Sequence, residues 1–104
     1  MVIYGLKNCD TCRKAAKALE GATLHDVRAD GLPPQVRDAA LAQFGPELIN
    51  TRSATWRGMS EMERAAPPTE QLAAHPALMK RPLIAVDDRL YLGWTPDTQK
   101  ALGL

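Results

Sequence analysis

Short apolar runs separated by longer amphipathic stretches set the rhythm of this chain. Val2-Ile3-Tyr4 predicts a first strand over residues 2–5. Cys12, Ala15, Ala16 and Leu19 then recur at helical spacing, predicting a helix capped by Asp10 or Thr11, running to about Glu20 and stopped by Gly21. Ala22–Val27 alternates weakly and reads as a short second strand, so the first three elements form a parallel, right-handed βαβ unit. Residues 28–34 are a break. The next helix starts at Pro34 or Gln35, carries the stripe Val36, Ala40, Leu41, Phe44, and ends at Gly45-Pro46, with a helical turn over Glu47-Leu48-Ile49. Residues 50–55 are polar and loop-like. Ser60-Glu61-Met62-Glu63 has capping-box spacing and starts a brief helix that Pro67-Pro68 closes. Thr69 caps a further helix with Leu72 and Ala73, ending near His75-Pro76, and Ala77-Leu78-Met79 extends it by a turn. Leu83–Val86 predicts a buried third strand, Asp87-Asp88 a tight turn, and Arg89–Leu92 a fourth strand returning antiparallel. Gly93-Trp94 breaks it, and Thr95-Pro96 caps a last helix from Asp97 to about Leu102. The order is βαβ, then helices, then ββα.

At 104 residues the chain is sized for one domain. A net charge of +1 offers no electrostatic case for direct binding of nucleic acid or a membrane surface. No apolar run approaches the roughly 20 residues that span a bilayer. Residues 1–5 lack the basic and long apolar regions of a signal peptide, so a cytoplasmic location is expected. In that compartment the only two cysteines, spaced Cys9-x-x-Cys12, are expected to be redox-active rather than a permanent staple.

That pair carries the candidate chemistry. Cys9 falls in the turn between the first strand and the first helix, where free N–H groups and the positive end of the helix dipole meet. A thiolate there is stabilised, with its pKa drawn from about 8.5 into a range of roughly 3.5–7.5. Arg13 and Lys14 add positive charge nearby, and Asn8 is placed either to donate a hydrogen bond to the sulfur or to shape the turn. Cys12 is a candidate resolving thiol. The alternative is a core residue on the inner face of the helix, with an external thiol resolving. The two histidines, His25 and His75, do not combine with the cysteines into a metal-ligand pattern, so no metal site is expected. Trp56 and Trp94 read as core or rim aromatics, and no glycine-rich phosphate loop is present.

Three stretches resemble one known family. They are Tyr4-Gly5-Leu6-Lys7-Asn8-Cys9-Asp10-Thr11-Cys12-Arg13-Lys14-Ala15, then Leu48-Ile49-Asn50-Thr51-Arg52-Ser53-Ala54-Thr55-Trp56-Arg57, then Met79-Lys80-Arg81-Pro82-Leu83. In this order and spacing they resemble the ArsC/Spx/YffB family, closest to its YffB type. The resemblance implies a thioredoxin-like α/β fold, βαβ–(helical insertion)–ββα with a four-stranded mixed sheet, the insertion covering about residues 34–79. It also implies that Cys9 is the nucleophile, that Arg81 is the family arginine before the proline, and that Pro82 is a cis-proline facing the thiol. Arg81, Arg52 and Arg13 are the candidates for holding an anionic substrate or a carboxylate of glutathione. Where the arsenate reductases carry a further arginine after the fourth strand, this chain reads Tyr91-Leu92-Gly93-Trp94, and Arg52 is shifted about two places from their middle arginine.

The expected activity is thus that of a cytosolic thiol-disulfide oxidoreductase, with no bound cofactor and glutathione as co-substrate. Its expected partners are glutathione or a glutaredoxin, and a small oxyanion or protein disulfide as substrate, acting on a monomer. The alternatives are glutaredoxin-linked arsenate reduction and an Spx-like redox-sensing regulator that binds RNA polymerase.

Overall fold

Four short strands build the sheet that carries Cys9. In the computed structural model, which describes residues 1–104, they are β1 (Val2–Gly5), β2 (Thr23–Asp26), β3 (Leu83–Val86) and β4 (Arg89–Leu92). They lie in the order β2-β1-β3-β4, with β1 parallel to β2, antiparallel to β3, and β3 antiparallel to β4. This is the four-stranded mixed sheet that the family resemblance implies. A parallel β1–β2 pair cannot be joined by a hairpin, and the crossover is helix α1 (Asp10–Ala18). The β3–β4 hairpin turns on Asp87, whose φ of 55° lies in the left-handed region that aspartate tolerates.

Backbone contacts divide the chain into two compact units. The first is Met1–Asp26 with Arg81–Leu104, and the second is Val27–Lys80. In the first, Ile3 and Ile84 are register partners and pack with Ala15 and Leu19 of α1, flanked by Tyr91, Trp94 and Leu102. Fully burying an isoleucine contributes on the order of 1.5–3 kcal/mol, so this stripe seats α1 on the sheet. Helix α7 (Pro96–Ala101) follows, with Thr95 Oγ1 accepting the Thr98 N–H at 3.1 Å, the cap expected from sequence.

The second unit is helical: α2 (Val27–Asp30), α3 (Pro34–Phe44), a 3-10 turn over Gly45–Leu48, α4 (Ala54–Arg57), α5 (Glu61–Ala65), α6 (Pro68–Ala74) and a 3-10 turn over Pro76–Leu78. Such short helices cannot hold themselves by propensity. Side chains close their ends instead. Gln71, buried, donates through Nε2 to the carbonyls of Glu63 and Arg64 at 3.3 and 3.0 Å. Arg64 donates to the carbonyls of Trp56 and Arg57 and lies with its guanidinium carbon 5.8 Å from the Trp56 ring centre. Ser60 and Glu63 form the expected capping box.

Several expectations are corrected. The residue capping α1 is Cys9, neither Asp10 nor Thr11, because its sulfur accepts the Cys12 N–H. That helix stops at Ala18. Leu19 leaves helical geometry and enters the core. Strand β2 ends at Asp26 rather than Val27, which is buried and opens α2, a helix that runs on into the expected break at residues 28–34. Ala54 and Thr55, expected in the loop over residues 50–55, instead open helix α4, because Ser53 Oγ accepts the Trp56 N–H at 3.1 Å. Helix α6 starts at Pro68 with Pro67 as its cap, leaving Thr69 within the first turn, where proline has no N–H to lose. No helix is long and apolar enough to cross a membrane.

Candidate active site

The loop from Leu6 to Cys9 is tied down at both ends. The Lys7 N–H donates to Asp26 Oδ2 at 3.0 Å at the end of β2, and the Cys9 N–H donates to the Leu6 carbonyl at 3.1 Å. Cys9 then caps α1, its carbonyl accepting the Arg13 N–H at 3.0 Å and its Sγ accepting the Cys12 N–H at 3.4 Å. The sulfur therefore occupies the place where a serine or aspartate oxygen usually satisfies the orphan donors of a helix start. It is half-buried, and neither cysteine is in a disulfide.

Two opposed influences set the ionisation of Cys9. Burial pushes the thiol up. Hydrogen bonds from the Cys12 thiol and N–H, the charge of Arg81 and the Thr11 N–H outweigh it and hold the group below the ordinary cysteine value. Cys12 is the reverse case. Its side chain is fully buried, and burial together with its hydrogen bond to Cys9 pushes it up to about 12. The pair thus favours the anion at Cys9, which receives a hydrogen bond from a protonated Cys12.

The cation acting on Cys9 is Arg81, not the expected Arg13 and Lys14. Arg13 turns away to the Asp10 carboxylate. That pairing has a use, since Asp10 sits in the first turn beside the sulfur and Arg13 offsets its charge. Asn8 is exposed and makes no hydrogen bond to Cys9 Sγ. Arg81 reaches the site through the sheet. The β1–β3 register sets Tyr4 opposite Leu83, so the residues following Gly5 run alongside those preceding Leu83. The Arg81–Pro82 bond is cis, and Pro82 is fully buried.

Sequence reasoning missed Gly5. A Cβ built there would fall on Cys12 Sγ, and would meet Cys12 Cβ at 3.2 Å. Glycine at the end of β1 makes room for the buried sulfur, a close approach for which an isolated glycine in a strand is the usual signal. Arg52 belongs to the helical unit, where it lines a cleft with Ile49, Asn50, Thr51 and Lys80. No three His, Cys, Asp or Glu side chains gather where they could share a metal ion.

A family model described as the ArsC family matches residues 4–102. This chain belongs to the ArsC family. Among its relatives, an uncharacterised protein of Haemophilus influenzae is 37% identical, the match covering 97% of this chain and 96% of that one. A solved YffB protein is 29% identical with a TM-score of 0.86, covering 97% and 96% of the two chains. A solved arsenate reductase (ArsC) related protein from Brucella melitensis is 35% identical with a TM-score of 0.69, covering 96% and 91%. The ArsC-family chain therefore has the thioredoxin-like fold of an arsenate reductase-like, YffB-like thiol oxidoreductase.

Proposed function

We propose that this ArsC-family protein is a glutathione-dependent thiol-disulfide oxidoreductase with Cys9 as nucleophile. The observation that carries the reading is a half-exposed sulfur serving as the N-cap of α1, with donors from Cys12 and the Arg81 charge favouring its thiolate. Cys9 thiolate attacks the glutathione sulfur of a mixed disulfide, the S–S bond breaks, and the substrate leaves as a thiolate. A second glutathione thiolate then attacks the Cys9–glutathione disulfide. Cys9 returns as thiolate and oxidised glutathione leaves, so the net reaction is an exchange in which one free glutathione thiolate is consumed, the substrate thiolate is released, and the glutathione of the mixed disulfide ends in oxidised glutathione.

An external thiol is favoured over Cys12 for the second step. Cys12 is fully buried and holds its proton, whereas attack requires an accessible thiolate. Cys12 serves instead as hydrogen-bond donor to Cys9. Asn8, Arg13 and Arg81, beside Pro82, complete the proposal as contacts for the anionic parts of the substrate.

The test is turnover of a glutathione mixed disulfide by wild type, Cys9→Ser and Cys12→Ser proteins, with adducts located by mass spectrometry. The reading expects an adduct on Cys9, no turnover in Cys9→Ser and persistent turnover in Cys12→Ser. An adduct forming only on Cys12 overturns it. Membership of the ArsC family favours a second reading, arsenate reduction, which a coupled assay with arsenate and glutathione separates from the first.

A further inference from the structure

Residues of α5 and α6 border a cleft of about 170 Å³ in the helical unit. Its walls are apolar: buried Met59, half-buried Ala66 and exposed Ala74. Its polar groups are Glu63, Glu70, Gln71 and His75, and no lysine or arginine lines it. Arg64, the cation next to Glu63 in sequence, is turned to the carbonyls of Trp56 and Arg57. The Glu63 carboxylate is fixed in place by His75 Nε2 at 2.6 Å and by the Ser60 N–H at 3.0 Å. An ionised carboxylate has about four acceptor sites, so these two bonds leave it capacity for more. Glu70 takes part in no ion pair; those of the molecule are Arg13–Asp10, Arg37–Asp38 and Glu63–His75. Gln71 adds a directed acceptor to this acidic rim. It is only 6% exposed, and its Nε2 is assigned by the carbonyls of Glu63 and Arg64, which only an N–H can satisfy. Its Oε1 is left with no hydrogen bond. No enclosed side-chain oxygen or nitrogen of the protein lacks a partner, so Oε1 opens onto reachable space, and the cleft is the space that Gln71 lines.

We infer that this cleft binds the ammonium group of an aliphatic amine, with the alkyl stem against Met59, Ala66 and Ala74. An ammonium has three N–H donors and no acceptor, the complement of a site whose unsatisfied groups are acceptors. Glu63 and Glu70 supply the opposite charge. Gln71 Oε1, held away from bulk water, gains more from a donor than an exposed amide oxygen does. A bare metal ion does not suit the site, since no three His, Cys, Asp or Glu side chains gather where they could share one. At about 30 Å³ per water-sized group, the volume takes a stem of about four carbons with its ammonium head. Glu70 in the first turn of α6 also favours the helix start, but helix stability does not account for the open acceptor of Gln71. The amine is either a free alkyl amine or the side chain of a lysine, which share this head and stem. The inference goes beyond the redox chemistry proposed above and does not depend on it.

The experiment is an amide chemical-shift titration of the reduced full-length protein at low salt. The probes are butylammonium, butan-1-ol as its uncharged analogue, and N-acetyl-lysine amide as the same group in peptide form. Saturable shifts at Glu63, Glu70, Gln71 and Ala74 are expected with either amine, and the alcohol should bind about fivefold more weakly or worse. Affinity for the amine should fall about two- to fivefold in Glu70→Gln, and should fall with added salt. Saturable shifts should vanish in Ala74→Leu, whose larger side chain fills the cleft. Both positions are exposed, so each variant keeps the folded spectrum. Tighter binding of butylammonium assigns a free amine. Equal or tighter binding of the lysine amide assigns a peptide side chain. The absence of saturable shifts at these amides, equal binding of the alcohol, or affinities unchanged in both variants overturns the site. Because no thiol chemistry is read, failure of the proposed activity leaves these outcomes unaffected.

Discussion

Gly5 and Cys12 share one small space: the missing side chain at the end of β1 is where the buried sulfur of α1 lies. The relation ties a backbone position to the ionisation of Cys9, since the Cys12 thiol and N–H are among the donors that favour the Cys9 thiolate. Gly5→Ala forces the sulfur or the helix to move. We expect a stability loss of about 1–3 kcal/mol by denaturant unfolding, the usual cost of overpacking. The pH midpoint of Cys9 alkylation should rise. A variant with wild-type stability and an unchanged midpoint would refute the link.

Arg81 acts on Cys9 by charge, so its effect depends on charge and not on shape. Arg81→Gln should raise the Cys9 pKa and slow its alkylation at pH 7 by roughly three- to tenfold, with Arg81→Lys retaining most of the rate. Added salt should slow the wild type and leave Arg81→Gln less affected. Arg13→Gln should change the rate little, because Arg13 is engaged with Asp10.

Alkylation rate against pH reads both thiols. Cys9, held below the ordinary cysteine value, should lose reactivity only as pH falls through that lowered pKa. Cys12, pushed up to about 12, should stay unmodified in the folded Cys9→Ser protein at pH 8 and react on unfolding. Fast modification of Cys12 in that folded variant would contradict its burial.

Glu63 provides a pH signature remote from redox chemistry. Its Oε2 lies 2.6 Å from His75 Nε2, and its Oε1 accepts the Ser60 N–H at 3.0 Å. An ionised carboxylate can only accept, so the imidazole carries the shared proton on Nε2. These bonds bring Glu63 from the ordinary 4.5 down to about 2. A depressed acid stabilises the fold fully above its unfolded pKa, and that contribution drains away as pH falls through the folded value. Between about pH 4.5 and 2, Glu63→Gln should therefore lose less stability than wild type, as followed by thermal unfolding across that range.

Gln71 closes the end of α5 from inside the helical unit. Gln71→Leu keeps the volume but strands two carbonyls, and should cost about 1–3 kcal/mol. Equal stability of the two proteins by denaturant titration would show that water takes over both bonds.

By itself the sequence determined the elements whose cause is local. The apolar runs at residues 2–5 and 83–86 form strands, Ser60 and Glu63 cap each other within four residues, and the Cys-x-x-Cys spacing sets Cys9 at a helix start. These follow from neighbours along the chain, so periodicity and capping chemistry suffice to read them. Helices α2 and α4 escaped because four-residue helices carry no period, and only burial of Val27 and the Ser53 cap select them. The chemistry around the sulfur was decided by tertiary structure. Arg13 and Lys14 adjoin Cys9 in sequence, yet the charge that acts on it comes from Arg81, delivered by antiparallel pairing of β1 with β3. The space for Cys12 comes likewise from Gly5, seven positions earlier. Electrostatic and steric effects follow distance through space, and sheet register brings together residues that the sequence holds far apart.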